Sequence, residues 1–575
     1  MATTRGTDVR RPPPTSREDL DKALEDLAAH KQEWVDLTIN ERIALVRGLR
    51  KDFRALWERW CDLSVAAKGI DGRTLGNDRE WIEVSVINRA HSVVERALVD
   101  IKRRGRPRVP GGFSTRSDGQ VVAHTFPGDR AHAILFQGIR METWLEPGMT
   151  VEEAVVEQAI EYRGGMGEGG VALVLGAGNA SSLMTSDTFH KMFHDLRVVV
   201  LKMNPVNSYL GPLLEEGYLG LIEGGFLRIV YGGADVGRYL VDHPLVDEVH
   251  MTGTDRTFEA IVFGPGEEGR RRKAEGSPLV PKPVEGELGC ITPWIIVPGQ
   301  WSDEMVRRQS AKMAFWMMRH EGYVCVAPRV LVMWDGWPLR QAFIDGLVDA
   351  LSSTEPIKAY YPGSADTQRE FVTAHPDAIQ IGGGEDDHVP WTVIRDVSPE
   401  AEDDICFNRE SFSGMVAETC LGGEDAEEYL ANAVRWCNGS LWGTLSATIV
   451  VSDRDMAVPE MRSAVERAVS DLRYGTIAIN GPGNWGFASM VTPWGGHPGS
   501  TITDVQSGRV KVCNFLMLPR PAKSVVRIPF EVDPYPFVGT ARDLDVFSKK
   551  LAMFEDRPSW FRLPGLYLSA KRSSR

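Results

Sequence analysis

Cysteine is the residue type in this chain with the clearest nucleophilic chemistry, because a thiolate attacks electrophilic carbon readily. The sequence has seven, without a C-x-x-C pair: Cys61, Cys290, Cys325, Cys406, Cys420, Cys437 and Cys513. An odd number leaves at least one cysteine that no intramolecular disulfide explains, although a role as a small buried hydrophobe explains each of them equally well. Free thiols in a reducing compartment fit this scatter best, and we expect no metal site.

The elements that must position such a thiol follow from hydrophobic periodicity. Residues 17–104 carry apolar positions at helical spacing, such as Leu20, Leu24 and Leu27, which predicts amphipathic helices. From residue 171, buried apolar runs alternate with helical patterns, and a second apolar lobe begins near residue 289. Such alternation predicts a parallel, doubly wound sheet whose ligand site lies at the carboxyl ends of the strands.

Residues with chemical potential follow these apolar runs in a definite order. The segments are VALVLGAGN, VVVLKMNP, VDEVHMTGT, GELGCITPWIIV, HEGYVCVAPRVLV, RESFSG and PWGGHPGS. They resemble the successive motifs of the aldehyde dehydrogenase superfamily, over roughly residues 20–515, and the chain is identified as a divergent member. The resemblance implies an α/β fold with two doubly wound lobes, one cofactor-binding and one catalytic, plus a β oligomerisation arm.

The resemblance also implies three catalytic roles. Cys325 is the nucleophile that attacks the aldehyde, and Glu287 is the general base that activates the deacylating water. Asn179 donates its side-chain amide to the developing oxyanion. A buried structural cysteine is the alternative for Cys325, and a turn or helix cap is the alternative for Asn179. The segment VEGELG holds a second carboxylate, Glu285, but the Glu-Leu-Gly string favours Glu287.

Seven further residues are implied to bind a dinucleotide: Lys202, Gly232, Gly233, Gly253, Thr254, Glu410 and Phe412. Lys202 resembles the lysine that binds the adenosine ribose, whereas Glu410 and Phe412 resemble the pair that holds the nicotinamide ribose and flanks the ring. The glycines let backbone amides approach phosphate oxygens. Pro205 stands where many NAD-preferring members carry a glutamate, so both NAD and NADP are expected cofactors.

Several positions depart from the family pattern. Ala-Gly precedes and Ala-Ser follows Asn179, where Pro-Trp and Phe-Pro are usual, which predicts different packing at the substrate entrance. Cys290 replaces the second glycine of Glu-Leu-Gly-Gly, and Tyr323 replaces a glutamine, which changes the expected surroundings of the nucleophile. Trp485 and Phe487 resemble the variable substrate loop and favour an apolar aldehyde, either aromatic or long-chain.

Composition excludes other classes of function. The net charge is −14 and the pI is about 5.5, without a basic stripe, so nucleic acid is not an expected partner. No apolar run approaches the ~20 residues of a membrane-spanning helix. The first residues lack the apolar core of a secretory signal, so we expect a cytoplasmic protein.

We expect the chain to divide into seven segments. These are a flexible N-terminus (1–16), a cofactor-binding domain (17–127 and 171–288), an oligomerisation arm (128–148), a connector (149–170), a catalytic domain (289–500), a C-terminal strand (501–518) and a C-terminal extension (519–575). Strands are predicted at 131–136 and 141–145 in the arm and at 509–517 near the end.

The main hypothesis is NAD(P)-dependent oxidation of an aldehyde to a carboxylate through a cysteine thiohemiacetal and thioester. One alternative is the acylating, CoA-dependent branch, against which Glu287 argues, and another is a non-catalytic scaffold. The resemblance implies a homodimer or tetramer that pairs through the arm and the C-terminal strand. We expect the extension to clasp a neighbouring subunit, and contact with a membrane surface is the alternative.

Overall fold

The computed structural model describes residues 9–70, 74–163, 167–356, 358–383, 388–531 and 544–573. Its helices are α1 (Arg17–Asp36), α2 (Ile39–Arg54), α3 (Trp57–Lys68), α4 (Thr74–Arg104), α5 (Arg130–Leu135), α6 (Val151–Glu157), α7 (Leu183–Phe193), α8 (Gly211–Gly217), α9 (Leu219–Glu223), α10 (Ala234–Asp242), α11 (Asp255–Val262), α12 (Gly266–Ala274), α13 (Asp303–Met318), α14 (Arg340–Ser352), α15 (Ser364–Ala374), α16 (Ile405–Asn408), α17 (Ala426–Ser440), α18 (Pro459–Asp471), α19 (Asn484–Ser489), α20 (Leu544–Asp556) and α21 (Leu563–Ser573). Its strands are β1 (Phe113–Thr115), β2 (Val121–Phe126), β3 (Arg140–Leu145), β4 (Val171–Leu175), β5 (Val198–Lys202), β6 (Leu227–Val230), β7 (Glu248–Gly253), β8 (Val284–Leu288), β9 (Pro293–Ile296), β10 (Val330–Trp334), β11 (Ile379–Ile381), β12 (Trp391–Ile394), β13 (Met415–Leu421), β14 (Ser446–Val450), β15 (Thr476–Ile479) and β16 (Pro521–Arg527).

The first helices begin where side chains cap them. Ser16 caps α1, and Thr38 caps α2 in a capping box, so backbone N–H groups of the first turn are satisfied. Residues 1–8 of the predicted flexible terminus lie outside the described residues. Thr15, within the predicted segment, exchanges hydrogen bonds of 3.0 and 2.9 Å with the backbone of Tyr231.

The first sheet is parallel and has the strand order β6-β5-β4-β7-β8. The chain runs outward from β4 through β5 to β6 and then continues on the other side through β7 to β8, so the strand order reverses beside β4. Ligands of doubly wound sheets bind at the carboxyl ends of the strands beside such a reversal. This arrangement confirms the first predicted lobe.

The second sheet has the order β1-β2-β3-β16-β15-β14-β9-β10-β13-β12-β11. Its strands are parallel from β16 to β12, and antiparallel strands complete both ends. The strands β1 and β2, which precede the predicted arm, and the arm strand β3 are therefore continuous with the second lobe through β16. Both lobes have helices packed on parallel strands, which confirms the predicted α/β class.

Two of the predicted strands are wrong. Residues 131–136 form most of α5, because Asp129 accepts hydrogen bonds from the backbone N–H groups of residues 131 and 132 and caps a helix. Residues 509–517 form no strand, because Cys513 and Met517 have φ angles of 57° and 51°, which an extended strand does not allow. The C-terminal strand that pairs with β3 is β16, which begins four residues beyond the predicted segment.

The described part of the 519–575 extension folds back on the same chain. Its helix α20 packs along α4, where the Asn88 side chain donates to the Ala552 carbonyl at 2.9 Å. The structure thus gives this helix an intramolecular partner, and its contact with a neighbouring subunit stays a prediction. No helix among the described residues combines the length and the apolar character needed to cross a membrane.

Candidate active site

Cys325 lies half-buried between a 3-10 turn, Arg319–Gly322, and β10, at the point where two cavities meet. The first, the aromatic cavity, has a volume of about 140 Å³ and is lined by Phe136, Phe315, Trp316, Trp485, Phe487 and Trp494, among others. The second, the strand-end cavity, has a volume of about 240 Å³ and is lined by Gly253, Thr254, Tyr361, Glu410 and Phe412, among others. Asn179 and Cys325 line both, so molecules in either cavity reach the thiol.

Glu287 lies on β8 beside this thiol and is 2% exposed. The Trp494 indole donates to its Oε1 at 3.2 Å, and the Cys325 thiol also hydrogen-bonds to the carboxylate. Burial, followed by the negative charge of Asp187, raises the pKa of Glu287 to about 8. A carboxylate with this pKa is a suitable proton acceptor near neutral pH.

The surroundings of Cys325 do not favour its thiolate. Burial, followed by the charges of Glu287 and Glu410, raises the pKa of the Cys325 thiol well above its ordinary value. A buried thiol forms a nucleophile either through a lowered pKa or through an adjacent base. The structure provides the second, because Glu287 accepts the thiol hydrogen bond.

Asn179 follows β4 and approaches the nucleophile loop. Its Nδ2 donates to the Tyr323 carbonyl at 2.9 Å, two residues before Cys325. A side-chain amide has two N–H groups, so this bond orients the amide and leaves a second donor for an oxygen bound at Cys325. The structure therefore brings the three predicted catalytic residues, Asn179, Glu287 and Cys325, to one place.

Glu410 extends into the strand-end cavity. A Cβ at position 289 would overlap its carboxylate, so Gly289 is required for this approach. Arg329 lies 3.7 Å from the Glu410 carboxylate, whose buried Oε1 has no hydrogen-bond partner among the described residues. Burial raises the pKa of Glu410 to about 8, against the opposing charge of Arg329. An unpaired buried oxygen facing a cavity suits a ligand hydroxyl.

The remaining predicted cofactor residues form a second group. Lys202 ends β5, and Gly232 and Gly233 follow β6, at the same carboxyl edge of the first sheet. None of the three lines the strand-end cavity, which Gly253, Thr254, Glu410 and Phe412 do line. The structure therefore divides the seven predicted residues into two groups, one at this edge of the first sheet and one that lines the strand-end cavity.

Sequence comparisons give partial matches to curated proteins, whereas no protein-family model matches the chain. A stretch of 292 residues is 28% identical to 3,6-anhydro-α-L-galactose dehydrogenase of Streptomyces coelicolor, covering 47% of this chain and 52% of that protein. A stretch of 318 residues is 26% identical to aldehyde dehydrogenase LUC3 of a Fusarium species, covering 53% of this chain and 60% of that protein. The chain thus spans little more than half the length of these relatives.

Solved structures match almost the whole chain, at identities that establish the fold. Glyceraldehyde-3-phosphate dehydrogenase of Methanocaldococcus jannaschii, complexed with NADP, has a TM-score of 0.60 and 14% identity over 90% of this chain and 95% of that chain. γ-Glutamyl-γ-aminobutyraldehyde dehydrogenase of Burkholderia cenocepacia has a TM-score of 0.61 and 19% identity over 89% of each chain. The chain has the fold of these aldehyde dehydrogenases.

Cys290 and Tyr323, the two residues that depart from the expected motifs beside the nucleophile, pack behind the cavities. Cys290 is fully buried, its thiol donates to the Ser446 carbonyl at 3.7 Å, and burial raises its pKa to about 11. The buried Tyr323 ring packs near Tyr361 and Phe412, with centroids 5.5 and 6.0 Å away. Neither replacement is among the residues that line the two cavities.

A set of buried charges on α4 holds the turn before the nucleophile, and the sequence analysis missed it. The pairs are Arg319 with Asp78 (3.1 Å), His320 with Glu83 (3.2 Å) and Glu321 with Arg79. His320 and Glu321 have φ angles of 48° and 58°, a left-handed backbone that costs about 1–3 kcal/mol per residue outside glycine. The three pairs, the α4 clamp, hold this strained turn in place.

A signal for the α4 clamp exists in the sequence. The segment DREWIE places four charged residues near the start of an otherwise amphipathic helix, and buried charges need partners. Those partners are about 240 residues away along the chain, in the RHEG that precedes Tyr323. Nothing in a single sequence predicts that these two distant segments are in contact.

Proposed function

We propose that this protein is an NAD(P)-dependent aldehyde dehydrogenase that oxidises an apolar aldehyde to a carboxylate through a thiohemiacetal and a thioester on Cys325. The observation that carries the proposal is the position of the Cys325 thiol, which hydrogen-bonds to Glu287 at the junction of the two cavities. The curated relatives named as dehydrogenases support the same class of reaction.

In the first step, Glu287 takes the thiol proton as Cys325 Sγ attacks the aldehyde carbonyl carbon from the aromatic cavity. The carbonyl π-electrons move to oxygen, where the Asn179 amide and the Cys325 backbone N–H stabilise the negative charge. Glu287 is buried and Cys325 is half-buried, so water screens these electrostatic interactions less than it would at the surface. The product of this step is a thiohemiacetal on Cys325.

The strand-end cavity is the proposed site of the nicotinamide dinucleotide, which supplies the acceptor for the aldehyde hydride. The unpaired Glu410 Oε1 suits a ribose hydroxyl, and Gly253 with Thr254 precedes the N-terminus of α11, where phosphate oxygens bind well. Lys202 and Gly233 lie further along the same edge and suit the adenosine half. The M. jannaschii structure is complexed with NADP, which supports a nicotinamide dinucleotide as the cofactor here. We propose that this cofactor is either NAD or NADP.

The final step returns the enzyme to its starting state. Glu287 first releases the thiol proton to solvent and then removes a proton from water, whose oxygen attacks the thioester carbonyl carbon. The bond to Cys325 Sγ breaks with its electron pair on sulfur, the thiolate takes the proton back from Glu287, and the carboxylic acid product releases its proton to solvent. The products are the carboxylate and the regenerated thiol. The net reaction consumes aldehyde, water and oxidised cofactor and yields carboxylate, reduced cofactor and two protons.

The test is the appearance of NAD(P)H absorbance with a panel of aldehydes. We expect Cys325→Ala to lower kcat by about a thousandfold or more, and Glu287→Gln to accumulate acylated Cys325, which mass spectrometry detects. Cys420→Ala, a half-buried cysteine outside the site, is the matched control and should retain activity. Full activity of Cys325→Ala contradicts the proposal.

Two outcomes would support the alternatives. Turnover that depends on CoA and survives Glu287→Gln supports the acylating branch, because the thioester then passes to a thiol and not to water. A folded, cofactor-bound protein with no turnover and an unreactive Cys325 supports a non-catalytic scaffold.

We also propose a cytoplasmic homodimer or tetramer that associates through the arm, residues 128–148, and the nearby edge strand β1. The edge strand β1 of the second sheet offers unpaired backbone groups to another copy. Size-exclusion chromatography with light scattering measures the assembly, and a monomer at micromolar concentration would contradict it.

A further inference from the structure

One wall of the aromatic cavity comes from outside the two lobes. Leu551 of α20, in the C-terminal extension, is 4% exposed and lines this cavity together with Phe136 and Trp485. These three side chains belong to one buried apolar cluster, which also contains Phe547 and Phe554 of α20. The extension is therefore part of the surface that a molecule in the cavity contacts.

Buried polar contacts fix α20 on its neighbours. Arg54 binds the Asp556 carboxylate with two hydrogen bonds of 2.9 Å, and Arg89 Nε binds Glu555 at 2.9 Å. Bidentate and charge-assisted bonds of this kind hold a side chain in one geometry better than isolated surface ion pairs do. Together with the Asn88 contact to the α20 backbone, they determine where Leu551 lies.

The cavity runs along one face of α4. Ile82, Ser85, Val86 and Arg89 line it with spacings of three, four and seven residues, which places them on one helix face. At one end, Glu83 contacts His320 in the turn before Cys325, and at the other end Arg89 contacts α20. Six residues at a rise of 1.5 Å separate these levels by about 9 Å.

We propose that α20 is part of the substrate-binding site, and that Leu551 sets the length of the aldehyde whose carbonyl reacts at Cys325. This inference rests on the proposed function and names its substrate class: an apolar linear or aryl aldehyde that extends roughly 9 Å from its carbonyl along α4. A longer chain meets the Leu551 side chain, whereas a much shorter one leaves the α20 end of the cavity unfilled.

The experiment compares kcat/KM across linear aldehydes from propanal to dodecanal for the wild type, Leu551→Ala and Leu551→Phe. One methylene in an apolar pocket changes selectivity by about 10- to 200-fold. We therefore expect Leu551→Ala to raise the long-to-short ratio of kcat/KM by about tenfold, and Leu551→Phe to lower it by about tenfold. Met553→Ala, on the same helix and 41% exposed, is the matched control and keeps the wild-type profile.

A second measurement does not depend on turnover. The full-length variants are alkylated with iodoacetamide or with its N-dodecyl derivative, and mass spectrometry follows the modification of Cys325. Leu551→Ala should raise the rate with the dodecyl reagent relative to the small one by about tenfold, as more room becomes available. Thermal melting of each variant confirms that the comparison is between folded proteins.

The two measurements separate the two claims. If the wild type oxidises no aldehyde while alkylation still follows the size of residue 551, the proposed function fails and the cavity wall stands. If the wild type is active but its length profile and its alkylation ratio are the same in Leu551→Ala, Leu551→Phe and Met553→Ala, the role of α20 is overturned.

Discussion

Asp187→Asn tests what makes Glu287 a base near neutral pH. Asp187 lies on α7, is 1% exposed, and accepts a hydrogen bond of 2.7 Å from the Thr252 hydroxyl. Thr252 on β7 is the register partner of Glu287 on β8, so the two carboxylates lie on adjoining elements. After burial, the charge of Asp187 is the largest cause of the raised pKa of Glu287, which is about 8.

The magnitude follows from removing one negative charge. A like charge nearby raises a carboxyl pKa by about 1–3 units, so the neutral amide should lower the pKa of Glu287 by at least about one unit. At pH 7, a base with a pKa of about 8 is about 10% ionised, whereas a base with a pKa lower by one unit is about half ionised. The rate at pH 7 should rise up to about fivefold, whereas a weaker base should lower the plateau at alkaline pH.

The assay isolates the step in which Glu287 acts on water. A p-nitrophenyl ester acylates Cys325 directly, and its hydrolysis is followed over a single turnover between about pH 5.5 and 9.5. In Glu285→Gln, the matched control, the changed residue lies two positions away on β8 and bonds Lys191 at 2.7 Å. This control should keep the wild-type pH profile. If the hydrolysis rate falls at the same acidic pH in folded Asp187→Asn as in the wild type, the reasoning is refuted.

Two further predictions concern the cofactor site and the extension. Gly289→Ala places a methyl group against the Glu410 carboxylate. We therefore expect the KM for the cofactor to rise about tenfold, while the rate of Cys325 alkylation is unchanged. An unchanged cofactor titration would contradict this prediction. Although burial opposes it, Arg89 and His132 lower the pKa of Glu555 to about 2. Glu555→Gln should reduce the free energy of unfolding by about 3–5 kcal/mol at pH 7 in urea titrations. This contribution to stability is present above the unfolded pKa of about 4.3 and is lost as the pH falls through the folded pKa of about 2. Equal urea midpoints for Glu555→Gln and the wild type at pH 7 would contradict the prediction.

The fold was predictable where buried strands alternate with helices over long stretches. The segments at β4 and β5 have continuous apolar runs, those at β6 and β7 have apolar runs interrupted by polar residues, and the structure forms strands at all four. Short apolar segments were ambiguous, because residues 131–136 fit a strand until the Asp129 cap favours a helix. Residues 509–517 have a strand-like composition, but their left-handed Cys513 and Met517 depend on tertiary contacts that the composition does not contain.

The catalytic residues were predicted from the resemblance to family motifs, and the topology explains why two of them, Asn179 and Glu287, lie close together. The carboxyl ends of parallel strands meet at one edge, so polar residues that follow β4 and lie near the end of β8 are brought together whatever lies between them. The residues that hold the nucleophile turn had no such rule. Glu83 on α4 contacts this turn, whereas Leu551 on α20 lines the aromatic cavity. The partners of both residues depend on how α4 crosses the second lobe, which no local sequence pattern specifies.

The 31 residues of α4 connect these separate features in a definite order. Near its start, the α4 clamp fixes the turn before Cys325, and further along, Val86 and Arg89 line the aromatic cavity and meet α20. Side chains that contact different partners and lie more than about 7–10 Å apart usually act independently. The position of the thiol and the length of the bound aldehyde are therefore set by different parts of one helix. Changes at Leu551 can alter substrate choice because the clamp that orients the nucleophile does not depend on that contact.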